Sequence, residues 1–288
     1  MDGLIKESTS VLGRLGLSPS SPLGGLVLTT LIALLGCADF LSSRDSDIKE
    51  TTQAIETARD DGELAKAYSS RGVAYSEKAR YSRIMKLIPN DEYERLFALA
   101  IKDHDQAVEL NPNSADVYFN RAQAHYDRGS LDLVENKDGK SWFDAAASDF
   151  EKTIEMDPQN GLALDRLGLT YEQAGEEDKA IRAYTQEMAL NPFGKQRLAN
   201  AYCDFGFRHQ QQKEFAAAAI AYEKSTEFGQ ADDKTCPYEP FETSVAIYTT
   251  ETRQYDKAWE MVHRAQNAGR RIPPKLIDRL KNDSGRAN

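Results

Sequence analysis

Between residues 161 and 192 the apolar positions step by three and four. Leu164, Leu167, Gly168 and Tyr171 fall on one helical face, Gly175 ends that helix, Ala180 and Tyr184 lie in a second helix, and Pro192 stops it. The same order returns elsewhere in the chain. Pro158 and Pro192 stand 34 residues apart, while Pro112 and Pro158 stand 46 apart, one period plus a 12-residue insertion. A fixed period with tolerated insertions is the signature of a repeat array, in which each unit is a pair of helices.

The other copies keep parts of the pattern. The first has Tyr68, Gly72 and Tyr75 in one helix and Ala100, Ala107 and Pro112 in the next, with 16 residues inserted between them. The second has Tyr118, Ala122, Gly129, Ala146, Phe150 and Pro158; the fourth, framed from Ala199, has Tyr202, Gly206, Phe215, Ala218, Tyr222 and Ser225 but no proline; the fifth, from Glu239, keeps Ala246, Tyr255, Ala258 and Ala265. Recurring glycine and alanine let paired helices approach at the short end of the usual ~8–10 Å separation. Large residues fill the space around that contact, each contributing roughly 1.5–3 kcal/mol on full burial. Upstream, DIKETTQAIETA predicts a lone second helix, and IPPKLIDRLKN predicts a terminal cap, needed because the last unit has no neighbour to cover it.

These residues together resemble the tetratricopeptide repeat (TPR). The resemblance implies an all-α fold: a right-handed superhelical solenoid of antiparallel helix pairs, with about five TPR units, a leading half-repeat and a C-terminal capping helix. The corresponding organisation is a leader or membrane anchor over 1–40, a leading helix over 41–64, the array over 65–272 with insertions near 81–96 and 130–141, and the cap and tail over 273–288. TPR arrays are associated with binding other proteins along the concave surface of their first helices, an inference by analogy of fold. Carried over by position, that groove comprises Phe119, Gln123, Tyr126, Asp127, Leu162, Asp165, Leu169, Glu172 and Phe207. Its mixture of apolar and acidic groups suits a basic or amphipathic protein segment. The carboxylate-clamp subtype that holds chaperone C-termini is set aside: Ser69, Val73 and Leu162 stand where it needs lysine, asparagine and lysine, and only Asn120 and Arg166 match.

Both insertions, RYSRIMKLIPNDEYERL and SLDLVENKDGKSWFD, enter between a first and a second helix, so they emerge on one edge of the array. Ile84, Met85, Leu87, Ile88 and Trp142 then either meet a partner there or pack on one another as longer helices. Near the N-terminus, Leu23 to Leu35 is a 13-residue apolar run. It is short for a membrane span of about 20 residues and fits a signal-peptide core of about 7–15. It ends in Leu34-Leu35-Gly36-Cys37, which resembles the lipobox of bacterial lipoproteins and implies lipidation of Cys37. Cleavage near Ala38 and retention as an anchor are the other two fates. The expected location is the bacterial cell envelope, membrane-anchored through the lipid or anchor and facing the periplasm.

Composition narrows the function. A formal net charge of −10 argues against binding a nucleic-acid backbone, and 40% hydrophobic residues suffice for a core. Cys203 and Cys236 are 33 residues apart, close to one repeat, and are either a disulfide tying neighbouring hairpins or two free thiols. There is no GxSxG, HExxH, Walker or GxGxxG motif and no zinc spacing. His125 and His209 stand where the third repeat has Tyr171, and His104 where it has Tyr184, which marks them as packing residues. No catalytic, cofactor-binding or metal-binding residue is assigned. The expected function is a non-catalytic interaction scaffold; the alternatives are a structural subunit of a larger membrane complex and an accessory domain with enzymatic activity.

Overall fold

The computed structural model describes residues 22–85, 88–228 and 239–286, with side chains from Asp39 onward except at Ile84 and Asn90. Cys236, Leu87 and the side chains of Cys37 and Ile84 therefore lie outside what is described. Among the described residues the fold is all-helical, and the chain divides into two compact units, Met1–Met156 and Asp157–Asn288.

The first unit holds α1 (Pro22–Thr57), α2 (Asp61–Ile84), α3 (Asn90–Leu110), α4 (Ala115–Val134) and α5 (Lys140–Met156). The segment expected as a leading helix over 41–64 covers the end of α1, the turn at 58–60 and the first residues of α2. Asp60 makes that turn a helix start: its side chain accepts from the Glu63 N–H at 2.8 Å. The C-terminal half of α1 lies antiparallel on α2, with Phe40 against Tyr81, Arg44 paired to Glu77, Asp45 to Lys78, and Thr52 accepting from Arg71.

The second unit holds α6 (Gly161–Gln173), α7 (Glu177–Leu190), α8 (Phe193–Gln211), α9 (Phe215–Glu227), α10 (Pro240–Thr250), α11 (Tyr255–Asn267) and α12 (Pro274–Ser284). Gly175 closes α6 at φ +77°, a conformation in which a side chain is strained. The fourth repeat starts earlier than its frame from Ala199: α8 begins at Phe193, whose N–H is held by the Asn191 side chain at 3.0 Å. The cap forms as expected. Leu280 is fully buried, and Leu276 and Ile277 pack on the same core as Tyr248, Met261 and Val262.

The repeat pattern translates directly into packing. Ala100, Ala146, Ala180, Ala218 and Ala258, the same place in five second helices, are each 0% exposed. A Cβ on Gly72 would meet His104 at 2.7 Å, one on Gly168 would meet Tyr184 at 2.4 Å, and one on Gly206 would meet Tyr222 at 3.0 Å. The glycine of the first helix is thus the seat for the ring of the second. Both insertions resolve as longer helices rather than loops. They lengthen α2 through α5, and their Ile88, Tyr93, Leu96 and Leu131 join the neighbouring Tyr75, Ala79 and Phe97 in a local core.

Candidate protein-binding face

In the second unit the first helices α6 and α8 face a cleft of about 170 Å³ lined by Leu169, Glu172, Tyr184, Arg197, Asn200, Ala201 and Asp204. Three of these side chains are held in place by their neighbours. Tyr184 donates its hydroxyl to Glu172 at 3.0 Å, and Arg208 pairs with Asp204 at 2.8 Å while also donating to the Glu172 backbone carbonyl at 3.0 Å. Burial pushes the Glu172 carboxyl above the usual carboxylate range, opposed by the Tyr184 hydrogen bond. Leu162, at the start of α6, is 55% exposed, and Leu169 and Phe207 are half-buried.

The other residues expected in the groove are placed differently. Asp165 is buried, with Arg197 Nε at 2.7 Å. In the first unit Phe119 sits edge-on against Phe150 with ring centres 5.5 Å apart, and Tyr126 against Phe143 at 5.7 Å, so both rings turn onto their own second helix. Gln123 donates to Asp127 at 2.9 Å, and Asp127 is buried beside Arg80. Asn120 donates to the buried Ser69 at 3.0 Å and is spent on the join between α2 and α4. The structure thus gathers Leu169 and Glu172 at the α6–α8 cleft, with Leu162 exposed at the start of α6, and builds Phe119, Tyr126, Asp127 and Asp165 into packing.

Periodicity gave no warning of Glu187. It occupies the place where the other second helices carry Ala107, Thr153, Ser225 and Ala265, it is 3% exposed, and its Oε2 has no hydrogen-bond partner. Burial, with the Asp165 carboxylate nearby, pushes its carboxyl up to about 7. The readable signal was a charged residue in a column of small ones. His104 takes its expected packing place, fully buried under Gly72 with neither ring nitrogen hydrogen-bonded, and burial holds it neutral with a pKa of about 3. His125 stacks on Trp142 with ring centres 5.7 Å apart. His209 is not a core residue: its two ring nitrogens contact Glu177 at 3.0 Å and Glu214 at 2.7 Å. Cys203 is fully buried and disulfide-bonded, with its partner outside the described residues. Among the described residues no group of three or more His, Cys, Asp or Glu is arranged to hold a metal ion, and no helix is long and apolar enough to cross a membrane.

Comparison with known proteins agrees with this architecture. A sequence profile described as "TPR repeat" matches residues 97–129, and one described as "Tetratricopeptide repeat" matches residues 140–194. Residues 97–129 and 140–194 are thus tetratricopeptide repeats. Two curated relatives share the name small glutamine-rich tetratricopeptide repeat-containing protein 2. The one from Mycosarcoma maydis is 30% identical over 96 residues, covering 33% of this chain and 24% of its own length. The one from Saccharomyces cerevisiae is 26% identical over 162 residues, covering 54% of this chain and 42% of its own. The chain thus spans less than half the length of these relatives. Among solved structures, MamA aligns at a TM-score of 0.43 with 20% identity, over 68% of this chain and 93% of that one.

Proposed function

We propose that this protein is a non-catalytic scaffold that binds a protein segment along its first helices and is held at a membrane by its N-terminal region. The observation that carries the binding half is the α6–α8 cleft. It has an apolar floor at Leu169 and a rim of Glu172 and Asp204, and the ion pairs and hydrogen bonds around it fix those side chains before a ligand arrives. Such preorganisation lowers the entropic cost of binding. Asp204, 40% exposed at the rim beside its Arg208 partner, favours a segment with a basic group, and the exposed Leu162 at the start of α6 favours an apolar one, which together describe a basic amphipathic helix or strand.

The membrane half rests on the uncharged run from Pro22 to Ala38, where Cys37 follows a lipobox-like sequence. The location that suits this reading is the bacterial cell envelope, with the repeats facing the periplasm. The binding half is tested by substituting Leu162→Glu and Asp204→Lys together and measuring partner retention from solubilised membranes beside the thermal midpoint. Both side chains reach solvent, so lost retention is expected with the midpoint lowered only by the loss of the exposed Asp204–Arg208 pair, about 1 kcal/mol or less. Retention equal to the unsubstituted protein would overturn it.

A further inference from the structure

The end of the first unit where the insertions meet is also the end from which α1 runs outward. The pairs Phe40–Tyr81, Arg44–Glu77, Asp45–Lys78 and Thr52–Arg71 fix the antiparallel register of α1 on α2. Carried on, that register sets Ala38 opposite Ile84, the last residue of α2. From Cys37 back to Pro22 the helix continues past α2 for 16 residues, roughly 24 Å at 1.5 Å per residue. No residue between Pro22 and Ala38 is charged.

The same end gathers the extended tips of the other helices. Arg83 Nε at the end of α2 donates to Glu135 just past α4 at 2.6 Å, Tyr93 of α3 donates to the same carboxylate at 3.3 Å, and Trp142 of α5 donates to Asp132 at 3.0 Å. These polar contacts hold the tips together, yet three apolar side chains are left facing outward: Met85 at 37% exposure, Leu133 at 40% and Val134 at 77%. Lys137, paired with Glu135 at 2.9 Å, and Lys140, paired with Asp144 at 2.9 Å, flank them with their side chains about half exposed.

We infer that this tip, led by Leu133 and Val134, is a lipid-contacting surface that seats the first repeats against the bilayer. The inference rests on the membrane-tethered reading above and holds for either mode of attachment. A lipid attached at position 37 would join α1 three residues before Phe40, which packs on Tyr81 of α2. If the leader is retained, about 24 Å of helix enters a hydrocarbon core of about 30 Å, and the shortfall draws the tip onto the headgroups. Leu and Val then sit at the apolar boundary, with lysines reaching the headgroup level. Among the described residues α1 is one unbroken helix from Pro22 to Thr57, so in either case the membrane fixes the height and orientation of α2 through α5.

Trp142 is a built-in reporter of this tip. The test uses the full chain carrying Trp259→Phe, which leaves Trp142 as the one tryptophan, reconstituted into phosphatidylcholine vesicles with or without a nitroxide on the lipid headgroup. Flotation reports attachment, and Trp142 emission reports contact. The expected result is flotation with Trp142 emission lower in the nitroxide vesicles than in the unlabelled ones. Adding Leu133→Glu and Val134→Glu should abolish that quenching while flotation persists, since both side chains are exposed and neither supports the fold. Flotation without quenching, or quenching that survives the double substitution, overturns the lipid-contacting tip and leaves the tethered reading standing. Failure to float overturns both.

Discussion

Tyr184 lies so close over Gly168 that a Cβ there would stand 2.4 Å from its Cε1. The ring is 1% exposed and its hydroxyl is committed to Glu172, so it cannot swing aside without losing a buried contact and a hydrogen bond together. Gly168→Ala should therefore destabilise the second unit by about 1–3 kcal/mol, the usual cost of overpacking. Gly161→Ala, where nothing lies within 4 Å, should leave stability unchanged or raise it. Urea denaturation of the two variants in parallel checks the contrast.

In the first unit two arginines hold buried aspartates with paired hydrogen bonds: Arg71 to Asp103 and Arg121 to Asp149, each at 2.7 and 2.8 Å. The same places in the second unit hold Leu167 with Ala183 and Phe205 with Ala221, all buried. The fold thus accepts either chemistry as long as the pair matches. Arg121 also reaches the half-exposed Asp105 at 2.8 Å, so Asp149→Ala alone should cost less than the roughly 3–5 kcal/mol of a fully stranded buried charge, and Arg121→Leu with Asp149→Ala should recover most of that loss. A double-mutant cycle followed by chemical denaturation gives both numbers.

His104 makes the first unit acid-sensitive. Burial lowers its folded pKa to about 3 from a reference of 6.5, so the unfolded chain takes up the proton first as pH falls. Stability contributed by the neutral ring is full above 6.5 and declines between 6.5 and 3, by about 1.4 kcal/mol per pH unit. His104→Phe, which copies Phe150 at the matching place, should remove most of that dependence. Thermal melts at pH 7 and pH 5 of both proteins test it: the wild-type midpoint should fall well below that of the variant at pH 5.

Glu187 works in the opposite direction. Its folded pKa of about 7 exceeds the ordinary value of 4.5, so the fold favours the protonated form and loses stability as pH rises from 4.5 through 7. Glu187→Gln should raise the melting midpoint at pH 8 and change it little at pH 4.5. A uniform shift at both values would show that the effect is steric.

The fold was readable in the sequence because its determinants are local and periodic. Ala180 and Gly168 announce close helix contact by their size alone, and their counterparts in the other repeats repeat the message. The insertions were harder: RYSRIMKLIPNDEYERL has no period that separates a docking loop from two lengthened helices, and the choice was made by contacts such as Tyr93 with Glu135, 42 residues apart. The binding face was read only in part. Helix position suggests which way Phe119 and Tyr126 project, but not that Phe150 and Phe143 would draw their rings back onto the second helices. Glu187 escaped notice because a rule about small residues describes what a column prefers, not what one member tolerates.

The proposed binding of a protein partner along the first helices of the second unit can be sampled at one position. Asn200 lies in the cleft, so a photo-crosslinking amino acid placed there and activated in intact cells samples that partner directly. The account predicts a discrete crosslinked product in the membrane fraction that disappears when Leu162→Glu and Asp204→Lys are added. Crosslinks that persist unchanged in that variant, or none from position 200 while an outward-facing control at Ile220 yields them, would contradict it.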